Sequence, residues 1–539
     1  MQKFLIILVL TALCVPALAL TPTEENIRQF CEILQERPGG GSVESQVAAV
    51  PVLTTFYARR GFRPVWSDAD RRRELLQVLG SAAAQGLDPE DYHYRRLSAW
   101  PPDDADPRLR AELDILATDA LMRYGYHLYF GKVDPATLDP DWNLKRDLHG
   151  QDPVTVFEAA VAAPSLAAYI DSRLAANGPF YTGLKQALAR YRDIASAGGW
   201  PRVPGGATLK PGERDQRVAA LRARLAVTDG RLDPHVDDEQ LYDSQLLAAV
   251  ERFQRHHGLA VDGLVGRRSL QALNVPVASR IDQLRVNLER TRWVFHDLPG
   301  RYLIVNIAGF QAYLVENGAR VWESRVVVGT PYRKTPVFKA LLTYLVLNPT
   351  WTVPPTVLKN DIIPALHEDP GYLKAHHMVL LDAFTGAPVN MADLDPSSLT
   401  SDYFPYIVRQ QAGPQNALGR IKFMFPNEHF VYLHDTPSRG LFERPDRTFS
   451  SGCIRVEHPM TLAVRLLNDP VKWSRLKLEQ QLANGETQTV NLREPITVFL
   501  VYWTAEPEAD AAVTFFNDVY HRDAAVLAGL QQTFRPILP

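Results

Sequence analysis

A histidine and a cysteine 19 residues apart frame the stretch with the most chemistry in it. It runs His434-Asp435-Thr436-Pro437-Ser438-Arg439-Gly440-Leu441-Phe442, on through Arg447, to Ser450-Ser451-Gly452-Cys453-Ile454-Arg455-Val456. A free thiol titrates near ~8.5, so little of it is thiolate at neutral pH. An imidazole beside it can take the proton and make the nucleophile. Gly452 lets backbone N–H groups reach a developing oxyanion without a side chain in the way. Arg439, Arg447 and Arg455 supply cations that could hold a carboxylate-bearing substrate. The competing reading is a buried cysteine acting as a small hydrophobe, which is the common fate of a lone thiol.

These residues need strands to place them. Phe430-Val431-Tyr432-Leu433 reads as a strand, so His434 sits where it ends. Tyr432, two residues earlier, should face the same side as His434. Cys453 follows a Ser-Ser-Gly turn and opens a second short apolar run. Upstream, Tyr302–Ile307, Gln311–Glu316, Trp322–Val328 and Leu341–Leu347 are rich in branched and aromatic residues and read as strands. Asn317-Gly318 is a hairpin signal. Strands resume at Ile421–Phe425, with Asn427 capping the turn into the histidine strand. Met460–Leu467 reads as a helix and Ile496–Trp503 as a last strand. Between the strands, residues 355–418 form an insertion with helical pieces, placed as a lid or binding lobe. The 300–505 region is thus mainly β.

The ordered pattern of His, Thr, a basic loop and Ser-x-Gly-Cys-apolar-Arg resembles the active-site signature of the L,D-transpeptidases, whose catalytic domain is of YkuD type. The second serine and the Thr-Pro-Ser-Arg after the histidine are similar to the long, multi-domain, periplasmic YcbB-like branch. On that resemblance Cys453 is the nucleophile, His434 the proton donor and acceptor, and the Gly452 backbone part of the oxyanion hole. Arg455, Tyr432, Trp351 and Ser451 are expected at the substrate. The resemblance implies attack on a donor tetrapeptide stem of peptidoglycan, release of D-alanine, and transfer to an acceptor stem as a 3–3 cross-link. The commoner pattern has a histidine where this chain has Ser451, so the group orienting His434 stays open, with a backbone carbonyl expected. Two other readings remain. One is an L,D-carboxypeptidase using water as acceptor; the other is a wall-binding scaffold with an inactive domain. A papain-like protease would need the cysteine before the histidine.

The remainder fits an α+β multi-domain chain of 539 residues. Apolar residues make up 46% and charged ones 22%, with a formal charge of −3, which gives no basic excess for nucleic acid. Residues 1–19 read as a secretory signal peptide: Lys3, then an apolar run shorter than a membrane span, then Ala17-Leu18-Ala19. That predicts a periplasmic protein with no transmembrane domain in the mature chain, or a membrane-anchored one if the signal is retained. Residues 40–195 read as a helical scaffold domain and the Gly- and Pro-rich 196–213 as a linker. Residues 214–276 carry Phe253-Gln254 and Gly258-Leu259-Ala260-Val261-Asp262-Gly263, which resembles the three-helix peptidoglycan-binding module. Ile281, Leu284, Leu288 and Phe295 mark one stripe of a connecting helix. Residues 506–539 form a tail with a helix near Ala524–Leu530. His256 and His257 read as surface residues, and His367, His376 and His377 fit no common zinc spacing. No metal, nucleotide or organic cofactor is expected, and protein partners are undefined. Cys31 has no assigned role.

Overall fold

The computed structural model describes residues 20–36, 47–101, 106–296, 298–395, 398–400, 403–508 and 512–533. Residues 1–19, read from the sequence as a signal peptide, lie outside them. The helical domain is built round the helix Pro107–Phe130, buried on nearly every side from Ala111 to Leu128. A helix so enclosed must bury polar groups, and these are bonded. Asp114 accepts from the Val65 and Trp66 amides and from the Tyr57 hydroxyl at 2.6 Å. Cys31, in the helix Pro22–Glu36, is buried in the same core. Burial pushes its thiol up to about 12, so it is an inert packing residue.

Helices Arg217–Ala226, Ser244–Arg255 and Arg267–Leu273 enclose a small separate core. The segment read as a linker has no helix, but it lies against this module. Val203 and Leu209 are buried in the module's core, and Leu209 bridges Val265.

The connecting helix, Val277–Phe295, differs from its one-stripe reading. It is buried on several sides, at Leu284, Val286, Leu288 and Val294, because it touches three cores at once. Its Glu289 accepts from the Val133 amide at 2.6 Å and pairs with the fully buried Arg292.

The catalytic-type domain is a sheet closed on itself. Its strands, in chain order, begin β1 (Arg301–Asn306), β2 (Gln311–Glu316), β3 (Ala319–Gly329) and β4 (Phe338–Leu347). The inserted lobe adds β5 (Trp351–Thr352), β6 (Met378–Asp382), β7 (Pro388–Val389) and β8 (Tyr406–Gln410). Then come β9 (Ile421–Met424), β10 (Leu433–His434), β11 (Thr448–Ser450), β12 (Ile454–Val456) and β13 (Gln488–Val501). The order β3-β12-β10-β9-β4-β13-β1-β2 returns to β3, with β11 alongside β3. The β10–β12 and β1–β13 contacts are parallel. Closure leaves no free edge in the ring and stiffens whatever it carries.

Two readings need correction. The insertion is not only helical: β5-β8-β6-β7 form a second, four-stranded sheet over a core of Val353, Leu366, Leu380 and Val408. Prolines and short runs concealed it from periodicity. The histidine strand is two residues long, because Phe430 has φ +54° and turns the chain before β10 starts. The tail, for its part, folds back into the domain, with Phe516 and Tyr520 in the main core.

Candidate active site

Strand register explains how His434 and Cys453 come to share one face of the sheet. Leu345, Phe423, Leu433 and Ile454 are neighbours across β4, β9, β10 and β12, and all are fully buried in the core. The next row, Val346, Lys422, His434, Arg455 and Val327, therefore points to the opposite face. Alternation puts Tyr432 and Cys453 on that face too. The Ile454 amide donates to the Tyr432 carbonyl at 3.0 Å and locks the two segments together. The Tyr432 and His434 rings meet edge to face at 5.7 Å, and the Lys422 ammonium sits 3.8 Å from the Tyr432 ring centre.

His434 is buried, and its Nδ1 lies 2.5 Å from the Asp435 carbonyl oxygen. A carbonyl only accepts, so Nδ1 carries the hydrogen and Nε2 presents a lone pair. This is the orienting backbone carbonyl. It is itself held: the Asp435 carboxylate accepts from the Arg420 amide at 2.8 Å and pairs with Arg439. Gly419, at φ +59°, keeps room for that carboxylate; a Cβ there would collide with it. Burial first, then the Arg455 and Lys422 charges, push the His434 imidazole down to about 3. The imidazole is therefore neutral at rest.

Cys453 is half-buried, and its Sγ lies 3.7 Å from the Phe430 carbonyl. Burial raises its thiol above the ordinary value. Hydrogen bonds from Tyr432, then the Lys422 and Arg455 charges, act the other way. At rest the thiol and the imidazole are thus both uncharged, with the Lys422 and Arg455 cations near each.

The loop under Cys453 is tied down from several directions. Ser450 Oγ donates to the Cys453 carbonyl at 2.5 Å and accepts from the Gly452 amide at 3.1 Å. Thr335 Oγ1 donates to the Gly452 carbonyl at 2.8 Å and accepts from the Gly329 amide at 2.9 Å. The Tyr520 hydroxyl, from the C-terminal segment, donates to the Gly329 carbonyl at 2.6 Å. Gly452 has φ +116°, a region that side chains disfavour.

The sequence-predicted residues separate into groups. Cys453, His434, Tyr432 and Arg455 come together. The Arg455 Nε is buried with no hydrogen-bond partner among the described residues. Trp351, at the root of the insertion, lies beside the Tyr432 side chain and packs on both sheets' cores. Ser451 is exposed and accepts from Arg333 at 2.9 Å; Arg333 also pairs with Asp361 of the insertion at 2.7 Å. The Gly452 N–H, expected free for an oxyanion, is spent on Ser450, while the Cys453 N–H makes no hydrogen bond among the described residues. Arg439 and Arg447 are spent as well, the first on Asp435 and the Glu457 carbonyl, the second on the Val326, Phe310 and Arg444 carbonyls. Lys422 was not singled out from the sequence; alternation within Ile421–Met424 gives two faces, and only the register with β10 shows which one it joins.

His257 is half-buried: it stacks on Phe253 at 3.8 Å and meets the Phe253 carbonyl through Nδ1. His367 hydrogen-bonds the Leu399 carbonyl and His376 stacks on Tyr372. Among the described residues no group of histidine, cysteine, aspartate and glutamate could hold a metal ion. A cavity of about 960 Å³ lies in the helical domain beside Tyr126 and Phe157 and shares no residue with the Cys453 cluster.

Comparison with known proteins assigns these units. Residues 300–472 match the L,D-transpeptidase catalytic domain of the YkuD family, so the chain carries such a domain. It stands beside a scaffold domain over residues 51–188 and a "Putative peptidoglycan binding domain" over residues 214–273. Together they make the mixed α+β multi-domain architecture. Among curated proteins, a "Putative L,D-transpeptidase" of Haemophilus influenzae is 37% identical over 290 residues, which cover 52% of this chain and 58% of that protein. The N-acetylmuramoyl-L-alanine amidase CwlM of Mycobacterium tuberculosis is 40% identical over 81 residues, covering 14% of this chain and 20% of that protein. Solved L,D-transpeptidase structures from Xylanimonas cellulosilytica and Stackebrandtia nassauensis are each 14% identical. The first covers 55% of this chain and 98% of its own, with a TM-score of 0.18. The second covers 56% and 96%, with a TM-score of 0.22. No helix among the described residues is long and apolar enough to cross a membrane.

Proposed function

We propose that this protein is an L,D-transpeptidase that makes 3–3 cross-links in peptidoglycan outside the cytoplasm. The observation carrying the reading is the single sheet face shared by Cys453, His434, Tyr432, Lys422 and Arg455. Cys453 Sγ attacks the carbonyl of the third residue of a donor tetrapeptide as its proton passes to His434 Nε2. The Cys453 N–H and the two cations stabilise the oxyanion. The C–N bond to the terminal D-alanine breaks, and the leaving amine takes the proton from His434. An acyl-enzyme thioester remains. The amine of an acceptor stem attacks it, loses its proton to His434, and releases the thiol. Trp351 and Tyr432 line the groove, and Arg455, with its unused Nε, is placed for a stem carboxylate or for the oxyanion.

The test is incubation with a disaccharide tetrapeptide followed by mass analysis. A dimer short of one D-alanine is expected with wild type and absent with Cys453→Ala. Tripeptide alone would assign the hydrolytic reaction with water as acceptor. A carbapenem should add one covalent mass on the peptide containing Cys453. D-Alanine release by Cys453→Ala would refute the thiol mechanism.

A further inference from the structure

A second cavity, about 260 Å³, lies where the peptidoglycan-binding-type module meets the rest of the chain. Its walls come from five places: the helix Pro179–Ser196, the segment carrying Trp200, the module, the helix Val277–Phe295, and the hairpin of β14 (Ala505–Pro507) and β15 (Val513–Phe515). No residue of the Cys453 cluster takes part. Among the described residues that line it the one carboxylate is Asp229, which is already bonded to Arg252 at 2.6 and 2.9 Å.

Two arginines that line the cavity are out of place as packing residues. Arg224 is 2% exposed and Arg280 is 8% exposed, and among the described residues neither forms an ion pair. Arg224 lies over Trp200, 3.9 Å from the ring centre, and donates to the Leu273 carbonyl. Arg280 lies over Phe515 at 4.5 Å and donates to Gln283. Tyr191 lines the same cavity, close enough to feel both charges and that of Arg190. Burial pulls both guanidinium groups down to about 10. Charge buried without a counter-charge is costly, and a fold keeps it only where something repays it.

We propose that this junction is a binding site for a compact carboxylate, gripped by Arg224 and Arg280 with the Tyr191 hydroxyl beside them. Planar guanidinium groups held rigidly on aromatic faces suit bidentate capture of a carboxylate. Two sources present one: the free C-terminus of a short peptide and an acidic sugar. The volume admits the acid group and one adjoining residue, not a polymer chain. The site does not depend on the chemistry proposed for Cys453.

Calorimetric titration of the full-length protein tests this with three probes: N-acetyl-D-alanyl-D-alanine, its C-terminal amide, and N-acetylmuramic acid. At least one acid should bind, the amide should not, and salt should weaken the binding. Arg224→Met and Arg280→Met should each weaken it on the order of tenfold to a hundredfold, as expected for losing a charge-assisted contact. Cys453→Ala should bind as wild type does. Both methionine variants should melt at or above the wild-type temperature, since each removes an uncompensated buried charge. Binding of the peptide acid alone names a peptide terminus; binding of the sugar acid alone names the sugar. Silence from both acids, equal binding of the amide, unchanged binding in both methionine variants, or a marked fall in their melting temperature would each overturn the proposal.

Discussion

His434 should stay uncharged when the pH falls from 7 to 5, and the protein should lose stability for that reason. In the fold its imidazole is held near 3, against 6.5 for a free histidine. The unfolded chain therefore takes up a proton that the folded chain refuses. The sign follows: the stabilisation is complete above 6.5 and drains away as pH falls toward 3. Each pH unit in that window costs about 1.4 kcal/mol, so about 2 kcal/mol is gone by pH 5. Urea unfolding of wild type and His434→Gln at pH 7 and pH 5 isolates this. Glutamine keeps an N–H for the Asp435 carbonyl but cannot titrate. His127 and His257 are also lowered by burial and cancel between the two proteins. Wild type should lose about 2 kcal/mol more than the variant over that interval. The same property predicts that kcat/KM for D-alanine release has no acid limb near 6.5. Parallel loss of stability in the two proteins, or a limb at that pH, would refute a neutral, buried imidazole.

Lys422→Met removes one of the cations that offset the burial of the Cys453 thiol. Alkylation of Cys453 by iodoacetamide at pH 8 should slow by about tenfold, the scale of one neighbouring charge; an unchanged rate would discharge Lys422 from the site. Thr335→Val strips hydrogen bonds from both the Gly452 carbonyl and the Gly329 amide. It should cost about 1–3 kcal/mol by urea unfolding and lower kcat more than it raises KM. Arg333→Ala cuts an exposed pair, so stability should change by less than about 1 kcal/mol. The gain should appear as faster limited proteolysis within residues 355–418.

Much of the site was legible because its chemistry is written locally. Cys453, His434, Tyr432 and Arg455 stand in two short segments whose alternation already sets their facing. Lys422 and Thr335 were hidden for the opposite reason: their parts depend on register and on a return of the chain that no local pattern encodes. The Gly452 N–H went to Ser450 because a serine two residues back can fold onto the turn, a competition invisible to a motif. The helical and β regions declared themselves through periodicity. The small sheet of the insertion did not, since strands of two to five residues broken by proline carry too few alternations.

The helix Val277–Phe295 bears on how the protein can be divided. Its Val294 covers Ile304, Tyr313, Phe499 and Trp503 on the outside of the ring, while Val286 belongs to the helical domain's core. Family boundaries would suggest cutting near residue 300, yet such a fragment would bare an aromatic and branched surface to water. The smallest soluble piece that still carries Cys453 should therefore begin upstream of this helix and bring its helical neighbour along.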